Sequence, residues 1–192
     1  MCAKEQQTTK DRIVDAALRV VNKVGFSKAT IDEIITETPI SKGGFLYHFP
    51  TKNECLLALI DRTFARILAG TYRIAEDLPD SPGKMLRAYV LSWLEWQEPP
   101  HSIQIIGLTE DPVLRDRLID HRIRHYELVL DGQIPELTTQ TVLLICNGLW
   151  TIPLLARATP EELSAFRGAM RAEMMRIIDQ AVAGIHQNGG TA

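Results

Sequence analysis

The run Ser41-Lys42-Gly43-Gly44-Phe45-Leu46-Tyr47-His48 places a hydroxyl, an ammonium, two residues without side chains, a phenol and an imidazole close together, and Lys52 follows. No nucleophile stands beside a base here. The groups are hydrogen-bond donors and a cation, the kind that meet phosphate oxygens and base edges. Lys42 offers base or phosphate contacts, and Tyr47 and His48 offer hydrogen bonds to phosphate. Two adjacent glycines cost a helix about 1 kcal/mol each relative to alanine. Propensity alone would not choose Gly43 and Gly44; a surface that must approach another backbone closely would. At Thr51 to Asn53, the free N–H groups of a helix start and the charge of Lys52 make a site for one phosphate.

Three short helices must position this set. Ile13, Ala17, Val20 or Val21, and Val24 form one apolar stripe, and Gly25 follows as a C-terminal cap able to take positive φ, which predicts a helix over about 9 to 24. Thr30 and Glu33 have capping-box spacing, and Pro39 disfavours helical geometry at Thr38, so the second helix spans about 31 to 37. Ser41 caps the third, which Pro50 confines to about 42 to 48. Phe45, Leu46 and Phe49 are its anchors. Thr51 and Glu54 open a much longer helix that runs to the break Leu78-Pro79-Asp80-Ser81-Pro82-Gly83. Further helices are read at about 83 to 97, 101 to 109, 112 to 131, 138 to 158 and 160 to 186, separated by proline and glycine punctuation. No segment alternates with period two, so the fold class is all-α.

Short helices joined by a tight break have the proportions of a helix-turn-helix, whose second helix enters the DNA major groove. From Lys10 to Leu57, the T-x-x-x-I pattern followed by I-S-K-G-G-F-L-Y-H-F-P-T-K-N-E-C-L-L resembles the DNA-binding domain of TetR-type transcriptional regulators. The resemblance covers about a quarter of the chain. It implies an all-helical homodimer with an N-terminal operator-reading domain and a divergent C-terminal domain that binds a small effector and dimerises. It also implies that the fourth helix carries the effector's signal. By position, Ser41, Lys42, Gly44, Tyr47, His48 and Lys52 match the family's DNA contacts, with Thr30 at the start of the second helix; Gly43 joins them as part of the close-approach surface. The sequence departs from the family at Pro39, where glycine is usual, and at Leu46, where many members carry a DNA-contacting tyrosine. Asp32 and Glu33 lie where basic or neutral residues often meet DNA. The implied division is residues 1–50 for reading and 51–192 for effector binding and dimerisation.

Beyond residue 80, Met85, Tyr89, Trp93 and Trp96 share a face at four-four-three spacing. With Phe64 from the fourth helix and Trp150 from a helix apolar nearly all round, they are candidates to line an aromatic effector pocket; the alternative is ordinary core. His121 and His125 sit at i and i+4 in an apolar stripe and can hydrogen-bond a ligand or remain core residues. A metal reading lacks an identifiable third ligand beyond His101, so no metal and no cofactor are expected. Phe166, Met170, Met174, Ile177 and Ala181 follow three-four spacing on the last helix, and with Leu149 on the preceding one they are the expected dimer interface.

Composition first points away from DNA, since the net charge is -3. Yet residues 1–60 hold 8 Lys or Arg against 7 Asp or Glu, whereas the remainder holds 13 against 17, so the acidity lies in the second part. Local field matters more than the sum. Three scattered cysteines without CxxC spacing fit reduced thiols, and the polar N-terminus lacks a signal-peptide pattern, so a cytoplasmic location with no membrane partner is expected. No GxSxG elbow, P-loop, dinucleotide fingerprint or HExxH occurs, and catalysis is not expected. The leading expectation is a ligand-responsive repressor that binds a palindromic double-stranded operator as a homodimer. A small-molecule effector of unknown identity, hydrophobic aromatic or cationic, would release it. The alternative is a helical small-molecule-binding or enzymatic protein whose N-terminal bundle is only structural.

Overall fold

In a computed structural model the protein is described over residues 7–95, 111–130, 132–148 and 159–188, and every regular element among them is an α-helix. These are α1 (Thr9–Val24), α2 (Ile31–Thr36), α3 (Lys42–His48), α4 (Lys52–Asp77), α5 (Lys84–Leu94), α6 (Pro112–Val129), α7 (Glu136–Gly148) and α8 (Pro160–Asn188). The architecture is all-α, with an N-terminal helix-turn-helix followed by the long α4. None of the described helices is long and apolar enough to cross a membrane. The helix expected at 101–109, and residues 149–158 of the one expected at 138–158, lie outside the described residues.

Local chemistry sets the helix ends. Thr8 with Asp11 and Thr30 with Glu33 form reciprocal capping boxes at α1 and α2, while Ser41 Oγ accepts the Gly44 N–H at 3.1 Å at the start of α3. Thr51 Oγ1 accepts the Glu54 N–H at 3.2 Å at the start of α4. α1 stops at Gly25, whose φ of 83° an L side chain rarely adopts and whose N–H bonds Val21 O at 2.8 Å.

The chain divides into two compact units. The division falls inside α4, between Phe64 and Ala65, and again inside α6, between His121 and Arg122. Among the described residues the first unit holds 7–64 and 111–121. Its core is the inner face of α1 (Ile13, Val14, Ala16, Ala17, Val20, Val21) with Ile34, Phe45, Phe49, Leu56, Leu59, Ile60, Leu114 and Leu118, all buried. A fully buried Leu, Ile or Phe contributes about 1.5–3 kcal/mol relative to exposure. This core fixes the three short helices that could not persist alone.

In the second unit α5 packs on α7 and α8. Leu86, Ala88, Tyr89, Val90 and Trp93 of α5 are buried, as are Val142 and Cys146 of α7 and Met174 and Ile178 of α8. Gly83 starts α5 at φ 76°, and a Cβ there would lie 3.1 Å from Ile178 Cγ2 and 3.2 Å from Ile134. Both the backbone angle and the space call for glycine.

Candidate nucleic-acid interface

α3 is held from beneath and presented on top. Phe45 and Phe49, one turn apart, are buried with ring centroids 5.9 Å apart. Lys10 Nζ lies 5.3 Å from the Phe49 ring, a cation–π distance. Facing outward are Ser41, Lys42, Gly43 and Tyr47, the last 85% exposed. His48 is half-buried, and its ring meets that of Tyr47 edge-on at 5.1 Å, which restricts the phenol's direction. Leu46, expected as an anchor, is 41% exposed and belongs to the outer face. The reason is angular: a step of about 100° separates it from Phe45, and only Phe49 at i+4 shares the inner face.

The two glycines differ. A Cβ on Gly43 would meet only Ser41 Oγ, at 4.0 Å, whereas one on Gly44 would lie 2.9 Å from Ile40 Cγ2. Gly44 is required by packing against the turn that contains Ile40; Gly43 leaves clearance on the exposed side. Thr30 is exposed and its hydroxyl is engaged in the α2 capping box, accepting the Glu33 N–H at 3.2 Å.

Acids unseen as partners from the sequence sit beside both lysines. Lys42 Nζ donates to Asp32 Oδ1 at 2.9 Å, tying α3 to α2 across ten residues. Near Lys52, Asn53 Nδ2 donates to Asp111 Oδ2 at 2.6 Å. The Asp111 carboxylate also takes the N–H groups of Val113 and Leu114 at 3.0 and 3.2 Å. The Leu114 N–H, Asn53 and Val113 hydrogen bonds and the positive charge of Lys52 hold the Asp111 carboxyl below its usual range. Spacing along the chain carries no signal for either pairing, because Asp111 is 58 residues from Asn53.

The residues expected at an effector pocket fall into two clusters, one in each unit. In the first, Phe64 is buried and stacks on His121 with centroids 4.7 Å apart and planes 1° apart. His121 Nε2 lies 2.7 Å from Asp61 Oδ1, and Arg117 Nε lies 3.6 Å from the same oxygen. In the second unit, Tyr89, Trp93 and His125 are buried together, with Tyr89 6.0 Å from each of the other rings. Burial, with the Cys146 thiol adding to it, pushes the Tyr89 phenol upward. The histidine pair of one helix thus meets two different sets of partners. Met85 packs instead against Ile74, Ala75 and Ala88. Trp96 and Trp150 lie outside the described residues, as does Leu149 from the interface set.

On α8, Phe166, Met170, Ile177 and Ala181 are half-buried. Met174, also expected at the interface from spacing, lies on the inner side of the helix. It is wholly buried within its own chain, its Sδ 3.6 Å from Cys146 Sγ, because with Ile178 it forms the helix's inner face. Leu137 and Leu144 on the outer face of α7 were not anticipated and are 74% and 71% exposed. A groove of about 730 Å³ is lined by Pro135, Thr138, Ile177, Gln180, Ala181, Gly184 and Ile185.

Comparison with known proteins agrees with this geometry. Residues 13–59 match the family described as bacterial regulatory proteins, tetR family. The uncharacterized HTH-type transcriptional regulator YerO of Bacillus subtilis is 37% identical over 75 residues, 39% of this chain and 26% of that protein. The chain thus aligns with only about a quarter of YerO's length. The HTH-type transcriptional regulator SrpR of Pseudomonas putida is 28% identical over 166 residues, 78% of this chain and 75% of that one. The crystal structure of the multidrug binding protein EbrR complexed with malachite green shares the fold, with a TM-score of 0.60 and 21% identity over 88% of this chain and 98% of that chain.

Proposed function

We propose that the chain is a tetR-family transcriptional regulator with residues 13–59 as its helix-turn-helix DNA-binding domain, and that it acts as a homodimeric repressor released from a palindromic operator by a small effector, hydrophobic aromatic or cationic. One observation carries the DNA-reading assignment: α3 buries Phe45 and Phe49 while exposing Lys42, Gly43 and Tyr47 on a face with room for another backbone. In this reading Ser41, Lys42, Gly43, Gly44, Tyr47, His48, Lys52 and Thr30 form the interface. Tyr47 and His48 supply phosphate hydrogen bonds, and Lys42 supplies a charged contact.

Dimerisation through α7 and α8 is supported by the exposed Leu137 and Leu144 and by half-buried Phe166, Met170, Ile177 and Ala181, which present apolar surface on two long helices. A two-fold dimer would set two α3 helices in successive major grooves about 34 Å apart. For the effector, buried Tyr89, Trp93 and His125 support an aromatic site with one polar handle. EbrR, which holds malachite green, is a precedent for an aromatic ligand on this fold. The effector would act by binding more tightly to a conformer whose reading helices are misplaced, with α4 carrying the change.

Fluorescence anisotropy with the DNA upstream of the chain's own coding sequence tests the reading. Saturable binding that weakens steeply with salt is expected. Tyr47→Ala and Lys42→Ala should each weaken it several-fold while leaving the melting temperature unchanged, since both side chains are exposed. Absence of binding, or binding indifferent to salt, refutes the proposal. A thermal-shift screen of hydrophobic cations and aromatic acids then identifies effectors, which must also lower operator affinity.

A further inference from the structure

The contact between Lys42 and Asp32 lies on the face that α3 offers to DNA. Lys42 Nζ is 2.9 Å from Asp32 Oδ1, and the side chains are 58% and 73% exposed. Exposed pairs of this kind contribute little to stability. The packing beneath rests on Ile34 of α2 and Phe45 of α3, both fully buried. Nor does Asp32 serve as a cap, because Thr30 and Glu33 close the α2 start between them. Among the described residues its carboxylate is therefore left to one partner, the ammonium that would meet a phosphate.

We propose that Asp32 is an internal competitor of the DNA phosphate: it holds Lys42 in the free protein and gives it up when DNA binds. This limits affinity for any duplex and rests on the DNA-binding reading above. A carboxylate oxygen and a phosphate oxygen offer the ammonium the same kind of charge-assisted hydrogen bond, so exchange replaces one contact with another. The exchange has an ionic signature. Each lysine that neutralises a phosphate releases about 0.9 counterion, which sets the slope of log affinity against log salt. Freeing Asp32 leaves a carboxylate beside the phosphates that recruits a cation and offsets the release due to Lys42. Asp32 thus makes binding both weaker and less salt-dependent than the lysines alone would.

The test uses the full chain, its upstream duplex and an unrelated duplex, titrated by anisotropy across a range of salt. Asp32→Asn should tighten binding to both duplexes by up to about 5-fold at low salt and steepen the salt slope by up to about one. Asp32→Ala should do the same, separating loss of charge from new hydrogen bonds of the amide. In a Lys42→Ala background the gain should shrink to the part due to the bare carboxylate beside the phosphates, because no ammonium is left to release. If the parent protein binds neither duplex, the DNA-binding reading fails and this inference with it. If the parent binds in a salt-dependent way but both Asp32 variants match it, the inference alone is overturned. A gain that is undiminished without Lys42 also overturns it, since Asp32 would then act only by repelling phosphate.

Discussion

Two tyrosines, one in each compact unit, sit in opposite environments. Tyr47 on α3 is 85% exposed and touches His48 edge-on, whereas Tyr89 on α5 is 5% exposed with Trp93 and His125 against it. Both neighbours of Tyr47 along the helix face out or partly out, while Phe45 beneath them is fully buried. Around Tyr89, Ala88 and Val90 are buried as well. The contrast teaches how each site is built. α3 spends its apolar side chains on a narrow inner stripe and leaves a polar face for a partner; α5 buries most of its surface and can offer its phenol only to its own core or to a ligand admitted there.

Truncating the inner stripe should break the comparison most severely. Phe45→Ala removes a fully buried ring and should destabilise the first unit by about 3–5 kcal/mol, read as a lowered urea midpoint by circular dichroism. Leu46→Ala, one residue on and 41% exposed, should cost less than about 1 kcal/mol. Equal losses would mean that α3 does not sit as described.

The adjacent glycines give a smaller and sharper contrast. Gly44→Ala forces a methyl to 2.9 Å from Ile40 Cγ2 and should destabilise by about 1–3 kcal/mol. Gly43→Ala meets no such obstacle and should stabilise the helix by up to about 1 kcal/mol. On the proposed reading it should nevertheless weaken DNA binding, because the methyl occupies clearance on the outer face. A Gly43→Ala protein that is both more stable and undiminished in DNA affinity would remove Gly43 from the interface.

The first unit was the more legible from sequence because its helix ends are set by chemistry a few residues long. Thr30 with Glu33, Ser41, Thr51 with Glu54 and Gly25 each act within one turn, and expected limits of 9 to 24 and 42 to 48 coincide with α1 and α3. The exposure of Leu46, by contrast, turns on a single step around the helix. The burial of Met174 and the parting of His121 from His125 depend on which other helix each face meets. Periodicity tells which residues share a face, and is silent on what covers it. The acids beside Lys42 and Lys52 come from other helices or loops, so the charge of the reading face could not be read from α3 alone.

The last and smallest effect concerns pH. Burial raises the Tyr89 phenol above its ordinary value, so the folded chain keeps a proton that the unfolded chain gives up near pH 10. Below that pH both states are protonated and the contribution of the group is fully present. Above it the unfolded state alone ionises, which favours unfolding, and stability falls as pH rises toward the folded value. Tyr89→Phe removes the titrating group while retaining most of the buried ring. Its urea midpoint should therefore hold up better than the parent's between about pH 9 and 11, whatever offset separates the two at neutral pH. An offset that stays constant across that range would show that Tyr89 ionises as readily in the folded chain as in the unfolded one, and the contrast with Tyr47 would rest on exposure alone.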